Sequence, residues 1–280
     1  LRRSLRGQLV GEVRRRLRDS WRQRGAGDAE LGWIDGVLDP DVLTIGFARR
    51  VPSYKRLTLM LRDHERLRSL LLHPERPVQL VVAGKAHPAD ESGKRLIQEL
   101  VRFADDPKVR HRIVFLPDYG MGMAQKLYPG CDIWLNNPLR PLEACGTSGM
   151  KAALNGCLNL SVLDGWWDEW FQPDFGWAIP TADGTGTGPE RRDDLEAAAL
   201  YDLLERRVTP RFYEKGGSTG LPDRWIEMVR RTLTHLGPKV LAGRMVREYV
   251  ERLYAPAARS HRAMTVEAAR ELADWKARVR

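Results

Sequence analysis

Long apolar runs are missing from this sequence, and none approaches the roughly 18 residues that a membrane-spanning helix needs. The chain begins with leucine, and no signal-peptide pattern follows it. We therefore expect a cytoplasmic protein with no membrane partner, and we expect this chain to be a piece of a longer one.

Cysteine and histidine are scarce. The chain has three cysteines, Cys131, Cys145 and Cys157, and six histidines. An odd cysteine count without metal-type spacing is typical of reduced thiols in a cytosolic protein. No two histidines have the spacing of a zinc-binding helix. We therefore expect free thiols and no metal site.

An even spread of positive charge is also missing. The formal net charge is +9, but residues 1–24 hold nine arginines against Glu12 and Asp19, a local balance of +7. Apolar residues recur at every fourth position from Leu1 to Trp21, which predicts one amphipathic helix. We interpret its arginines as a solvated face or as contacts to another part of the protein. We expect no nucleic-acid partner.

What the sequence does contain is a regular alternation of apolar strands and helical segments. Five apolar runs closed by turns predict buried strands at 42–48, 78–85, 112–118, 132–137 and 157–165. Helical periodicity lies between them at 55–73, 89–105 and 122–130, and again from 147 to Asn155. This order predicts an α/β protein with a doubly wound, Rossmann-like parallel sheet.

The composition changes near residue 181. A polar, glycine-rich loop covers 181–194, and the remainder to residue 280 is mainly helical by pattern. We predict three parts. They are an amphipathic helix and its connection at 1–38, the Rossmann-like core at 39–180, and a glycine-rich loop with a helical carboxyl-terminal region of the same domain at 181–280.

Basic residues follow the first predicted strand, where ligands of parallel sheets bind. Arg49, Arg50 and Lys55 lie in the segment "RRVPSYK". Arginine presents a planar fork that suits phosphate, and lysine presents a point charge. Two phosphates held close together would need several such charges, because like charges repel strongly in a low dielectric. A merely solvated loop stays open as the other interpretation.

A glycine-rich turn leads into the helix that follows the fourth strand. In "EACGTSGMKAAL" (143–154), Gly146 and Gly149 let the backbone approach a ligand closely. Thr147 either caps the helix or binds a phosphate oxygen. Lys151 lies one turn inside the helix, where a desolvated amine suits a Schiff base with pyridoxal phosphate.

Two segments together resemble a known family. "GFARRVPSYKR" (46–56) and "EACGTSGMKAALNGCLNLSVLDGWW" (143–167) closely resemble the α-glucan phosphorylases in their short bacterial and archaeal form. The resemblance runs from about residue 1 to residue 257. It implies one half of the GT-B architecture, in which two Rossmann-like domains face each other. This chain would be the carboxyl-terminal half, and the amino-terminal domain would be absent from it.

The resemblance implies a cofactor, pyridoxal 5'-phosphate, and residues that hold it. Lys151 matches the lysine that carries the cofactor as a Schiff base, and Tyr119 matches an aromatic residue beside its ring. Thr147 and the backbone at Gly146 match the grip on the cofactor phosphate. Arg49 occupies an adjacent basic position.

The resemblance also implies a reaction and its substrate residues. Arg50 and Lys55 match the catalytic pair that binds inorganic phosphate or the phosphate of glucose 1-phosphate. Glu143 matches the residue that holds the glucosyl hydroxyls, helped by the backbone at Ala144, Cys145 and Gly146. The implied reaction is phosphorolysis of an α-1,4-glucan (glycogen, starch or maltodextrin) to glucose 1-phosphate with retained configuration. A chain with one domain is expected to be inactive alone.

Two other functions stay open. Retaining nucleotide-sugar glycosyltransferases of the same architecture carry a second glutamate eight residues after the first, where this chain has Lys151. A non-catalytic carbohydrate-binding module is the other, because Trp166 and Trp167 could stack on sugars or belong to the core. Cys145 replaces a usual serine, and "GTSGMK" replaces the "GTGNMK" of animal-type enzymes. The oligomeric state, a homo-oligomer included, and the natural glucan stay undetermined.

Overall fold

The computed structural model describes residues 1–50, 53–184, 186, 188–216 and 220–279. Val51 and Pro52 of the "RRVPSYK" segment and Thr185 and Thr187 of the glycine-rich loop lie outside the described residues. The chain divides into two compact units, Leu1–Leu236 and Gly237–Arg280. The three-part division made from the sequence stays a prediction.

The first unit is built on a six-stranded sheet with the strand order β3-β2-β1-β4-β5-β6. The strands are β1 Leu43–Arg50, β2 Val78–Lys85, β3 Ile113–Pro117, β4 Ile133–Asn136, β5 Leu158–Val162 and β6 Gly176–Ile179. All neighbouring strands are parallel. The order reverses between β1 and β4, which is the topological switch point of a Rossmann-like sheet. The predicted fold class is confirmed.

The sixth strand was not predicted from the sequence. β6 has only four residues, contains a glycine and an alanine, and precedes Pro180. These residues give a weak strand signal. Gly176 is favoured there because a Cβ atom would lie 2.3 Å from the carbonyl oxygen of Asn159 on β5. The close backbone approach lets β6 pair with β5 at the sheet edge.

Helices flank the sheet in the first unit. They are α1 Arg2–Gln23, α2 His64–Leu71, α3 Glu91–Ala104, α4 Met121–Gly130, α5 Thr147–Leu154, α6 Trp166–Trp170, α7 Pro189–Leu203, α8 Thr209–Tyr213 and α9 Asp223–Arg231. The continuous helix predicted at 55–73 is wrong. Arg56 has φ +50°, which a helix cannot contain. Regular helix begins only after Asp63, whose side chain caps α2 by accepting from the backbone N–H of Arg66.

Both faces of the sheet are buried, as strands between two helical layers require. Along β2, Leu80 and Val82 belong to one hydrophobic cluster, with residues of α2, α3, α7 and α9. Val81 and Ala83 point to the other face and belong to a second cluster, with residues of α1, α4 and α5. Because both faces are buried, side chains that point to either face are apolar, and the strands appear in the sequence as continuous apolar runs.

The arginines of α1 contact their own unit. Arg2 and Arg6 pair with the carboxylate of Asp132, at 3.2 Å and 2.8 Å. The guanidinium of Arg14 donates to the backbone oxygens of Val37 and Leu38, at 2.8 Å each. The remaining arginines of 1–24 also contact acidic side chains or backbone oxygens. Every arginine of residues 1–24 therefore has a partner within its own unit.

Asp132 is a buried anion, and its removal should be costly. Its side chain is 1% exposed, and it also accepts from the backbone N–H of Thr44 at 3.1 Å. Asp132→Ala would leave Arg2 and Arg6 without this partner, so we expect a loss of about 3–5 kcal/mol in the free energy of unfolding.

Chemical denaturation of the 280-residue chain measures this loss. Asp41→Ala is the matched control, because Asp41 is 59% exposed and pairs with Arg3 at the surface. That variant should lose less than about 1 kcal/mol. Equal losses in the two variants would contradict the structural role of the buried cluster.

The second unit is helical, as predicted for the carboxyl-terminal region. It contains α10 Gly237–Val240, α11 Ala242–Tyr249, α12 Ala255–Ala263 and α13 Val266–Val279. A π-type segment, Val250–Tyr254, joins α11 to α12. Over the whole described chain, no helix combines the length and apolar character needed to cross a membrane.

Candidate active site

Strand β1 positions the first cationic side chain of the site, that of Arg49. Arg49 is 8% exposed, and its guanidinium lies 4.5 Å from the centre of the Phe47 ring. Its Nη2 donates a long hydrogen bond of 3.3 Å to the backbone oxygen of Leu135. Its buried Nε has no partner among the described residues. Burial lowers the pKa of Arg49 to about 10, so the side chain is a desolvated cation suited to an anion.

Arg50 is exposed whereas Arg49 is buried, because successive side chains point to opposite sides of a strand. Arg50 lies opposite Lys85 in the β1–β2 register. Both residues line the same cleft as Arg49. The end of β1 therefore supplies one buried cation and one exposed cation.

Lys55 forms an ion pair with Glu143, 88 residues further along the chain. The side chains are 13% and 7% exposed. Burial, with repulsion from Arg49, lowers the pKa of Lys55 to about 8. Its Nζ also lies 4.8 Å from the centre of the Tyr54 ring. The pair joins a residue predicted to bind phosphate to one predicted to bind sugar.

Arg56 fixes the backbone next to Lys55. Its guanidinium donates to the backbone oxygens of Asn137 and Pro138, at 2.9 Å and 3.0 Å. It also forms ion pairs with Glu196 at 2.6 Å and Asp193 at 3.0 Å on α7. These contacts hold the left-handed backbone at Arg56, the residue that follows Lys55.

The helix start of α5 forms the opposite side of the cleft. Gly146 has φ +88° and ψ +45°, a left-handed conformation that favours glycine. Thr147 and Lys151 are exposed and line the cleft. The N-cap residue of this helix is Gly146, so no side-chain cap satisfies the N–H groups at the helix start. Unpaired N–H groups at such a helix start favour an anion.

Two tyrosines, Tyr119 and Tyr128, also line the cleft, and only Tyr119 was predicted. The hydroxyls of Tyr119 and Tyr128 lie 3.0 Å apart. The Tyr128 ring packs on Trp134, with ring centres 4.5 Å apart. Burial raises the pKa of Tyr128. The sequence signal for Tyr128 is weak, because an aromatic residue inside a short helix reads as core.

All but one of the predicted site residues line one cleft of about 1040 Å³ at the carboxyl ends of the strands. The exception is Ala144, for which only a backbone role was predicted. Residues that the sequence left without a role also line it: Tyr54, Lys85, His87, Asp90, Tyr128 and Ser148. The assigned role of each predicted residue stays a prediction.

Other cavities and side-chain clusters offer fewer groups that could bind or react with a ligand. Trp166 and Trp167 are 3% and 0% exposed, so they belong to the core and cannot stack on a sugar. A smaller cavity of about 270 Å³ has Trp21 and Trp33 in its wall, but arginine side chains cover both rings. No cluster of three metal-ligating side chains occurs in the described ranges. The three cysteines are unpaired.

Sheet order and cleft together define a Rossmann-like α/β domain with a cleft at its switch point that is lined by several cationic side chains. Residues 36–168 match the family model described as carbohydrate phosphorylase. Over this segment, just under half of the chain, the sequence is similar to carbohydrate phosphorylases.

Curated proteins with phosphorylase names are also similar to this chain. The chain is 66% identical to a glycogen phosphorylase of Mycobacterium tuberculosis, over 99% of this chain and 32% of that protein. It is 43% identical to a glycogen phosphorylase of Aquifex aeolicus, over 89% of this chain and 35% of the relative. It is also 43% identical to a maltodextrin phosphorylase of Thermococcus litoralis, over 86% and 29%. The chain thus spans about a third of the length of these relatives.

Proposed function

We propose that the intact protein containing this chain cleaves α-1,4-glucans with inorganic phosphate and releases glucose 1-phosphate with retained configuration. One observation carries the proposal. A buried arginine (Arg49), a lysine that is 13% exposed (Lys55), an exposed lysine at a helix start and a buried glutamate converge on one cleft, and this set suits two phosphates beside a sugar. The names of the relatives support the same substrate class.

We propose pyridoxal phosphate as the cofactor, and the residues present fit it. The unpartnered Nε of Arg49 and the helix start at Thr147 suit its phosphate. Lys151 supplies an amine that can hold its aldehyde covalently. Tyr119, exposed to the same cleft, suits one side of the ring. When bound, the cofactor supplies a phosphate group that can exchange a proton with the substrate phosphate.

The substrate phosphate would be held by Arg50 and Lys55. Their charges offset the repulsion between two phosphates, which would otherwise oppose binding strongly in a buried site. Because the pKa of Lys55 is about 8, the amine is charged at neutral pH and can hold a proton at the phosphate oxygen. The ion pair with Glu143 places this amine beside the proposed sugar position.

The glucosyl unit would be held by Glu143 and by backbone groups at Ala144, Cys145 and Gly146. A carboxylate accepts hydrogen bonds from sugar hydroxyls, and it favours the positive charge that develops at the sugar carbon. Binding the sugar next to the phosphate makes the transfer effectively intramolecular. We propose further that a second wall comes from the amino-terminal part of the intact protein, and that this chain alone does not turn over.

The product of the intact protein tests this function. With maltodextrin and inorganic phosphate, we expect α-glucose 1-phosphate, identified by its anomeric NMR signals. With a nucleotide sugar and the same glucan, we expect no chain extension. Transfer from the nucleotide sugar, or a β-configured product, would favour a different enzyme class.

Arg50→Ala should act on phosphate more than on glucan. Losing one charge-assisted contact should weaken phosphate and glucose 1-phosphate binding by about 1.5–3 kcal/mol, roughly 10- to 150-fold. Glucan affinity should stay within about twofold, since this exposed side chain has no proposed sugar contact. Arg102→Ala, on the exposed side of α3, is the control. Equal losses for phosphate and glucan would indicate a structural role for Arg50.

A further inference from the structure

Asp164 is a buried carboxylate for which the reaction described above has no role. It follows β5 by two residues and is 8% exposed. Its Oδ2 accepts from the backbone N–H of Glu143 at 2.9 Å, and its Oδ1 accepts from the N–H of Gly165 at 3.0 Å. One carboxylate therefore ties the loop that carries Glu143 to the turn after β5.

The turn fits tightly against the Glu143 loop. Gly165 has φ +55°, and a Cβ atom there would lie 2.4 Å from the backbone oxygen of Cys145. The N–H of Trp166 donates to that same oxygen at 2.9 Å. The Trp166 ring also lies beneath Gly146, where a Cβ atom would be 3.1 Å from its Cδ1. The loop from Glu143 to Gly146 thus packs closely against the turn that follows β5.

We propose that Asp164 is a positioning residue of the active site. By accepting the backbone N–H of Glu143, it holds the Glu143 carboxylate against Lys55 and sets where the glucosyl hydroxyls bind. The inference rests on the proposed function for its meaning, because Glu143 and Lys55 matter through that reaction.

The charge of Asp164 gives a second, independent readout. The groups that face Lys55 are Glu143, Arg49, Asp164 and the Tyr54 ring. Arg49 and burial lower the pKa of Lys55, whereas the negative charge of Asp164 raises it. Neutralising Asp164 should let Lys55 lose its proton at a lower pH. Phosphate binding should then weaken at a lower pH, which a purely structural substitution elsewhere would not cause.

Asp164→Asn in the intact protein tests the proposal, with Asp168→Asn as the matched control. Asp168 lies in the same segment, is half exposed and has the same charge. We expect kcat/KM for glucose 1-phosphate to fall by about 10- to 100-fold in Asp164→Asn and to stay within about twofold in the control. Phosphate binding is also measured by calorimetry between about pH 6 and about pH 10. The pH at which affinity falls should be lower in Asp164→Asn than in the wild type, and it should be unchanged in the control.

A double-mutant cycle shows whether Asp164 acts through Glu143. In a Glu143→Gln background, adding Asp164→Asn should change kcat/KM by less than about threefold. Independent, multiplying losses would overturn the positioning role, as would an unchanged Asp164→Asn variant. Thermal unfolding is measured first. Asp164→Ser, whose single and shorter hydroxyl cannot bridge the N–H groups of Glu143 and Gly165, replaces Asp164→Asn if the latter is unfolded at the assay temperature.

Failure of the proposed function would look different. A wild-type protein that neither binds inorganic phosphate nor turns over glucose 1-phosphate overturns the reaction and, with it, this role of Asp164. An active wild type beside an equally active Asp164→Asn variant overturns the role of Asp164 alone.

Discussion

Replacing Lys151 with alanine in the intact protein is expected to reduce phosphorolysis by roughly a thousandfold or more. Without the amine, the cofactor would be held only by contacts to its phosphate and ring. Misplacement of a reacting group by about 1 Å costs about a hundredfold, and weaker retention of the cofactor adds to this loss. The initial rate of glucose 1-phosphate release, with added pyridoxal phosphate, measures the effect.

The control for this variant is Lys94→Ala. Lys94 is an exposed lysine on α3 that pairs with Glu91 at the surface. It should keep the wild-type rate within about twofold. If Lys151→Ala were as active as this control, Lys151 would not be the residue that holds the cofactor.

The second large effect concerns the 280-residue chain by itself. We expect it to fold, because two hydrophobic clusters cover both faces of its sheet. We expect its turnover to be at least about a hundredfold below that of the intact protein. Lys151, Thr147 and Cys145 are exposed in this chain, so water can reach the proposed site. Catalysis that depends on exclusion of water and tight positioning should suffer accordingly.

Parallel assays of the chain and the intact protein measure this difference. Inorganic phosphate and pyridoxal phosphate binding by the chain provide the control, because both rest on residues that it contains. Binding without turnover is the expected result. Turnover near that of the intact protein would show that the second wall is not needed.

The layered fold could be predicted because its signals are local. Five strands are continuous apolar runs that end at the carboxyl edge of the sheet, and their order with helices favours a parallel arrangement. β6 could not be predicted, because a short run such as Gly176–Ile179 becomes a strand only through its pairing with β5. The break at Arg56 could not be predicted either, since buried partners from distant segments stabilise its left-handed backbone.

Most residues of the site could be predicted from the sequence, but the contacts between them could not. The basic residues at and after the end of β1 and the glycine-rich start of α5 could be placed at one edge of the sheet by topology alone. The ion pair between Lys55 and Glu143 could not, because it depends on the tertiary path of the 88 residues that separate them. Asp164 carries no sequence signal, because an acidic residue before glycine reads as an ordinary turn.

The most direct test of the central claim is to locate the cofactor chemically. The intact protein is loaded with pyridoxal phosphate, treated with borohydride to fix any lysine adduct, digested and mapped by mass spectrometry. We predict one major modified peptide, the one that contains Lys151, and its loss in Lys151→Ala. Modification of another lysine in the cleft, such as Lys55 or Lys85, with Lys151 unmodified, would contradict the account.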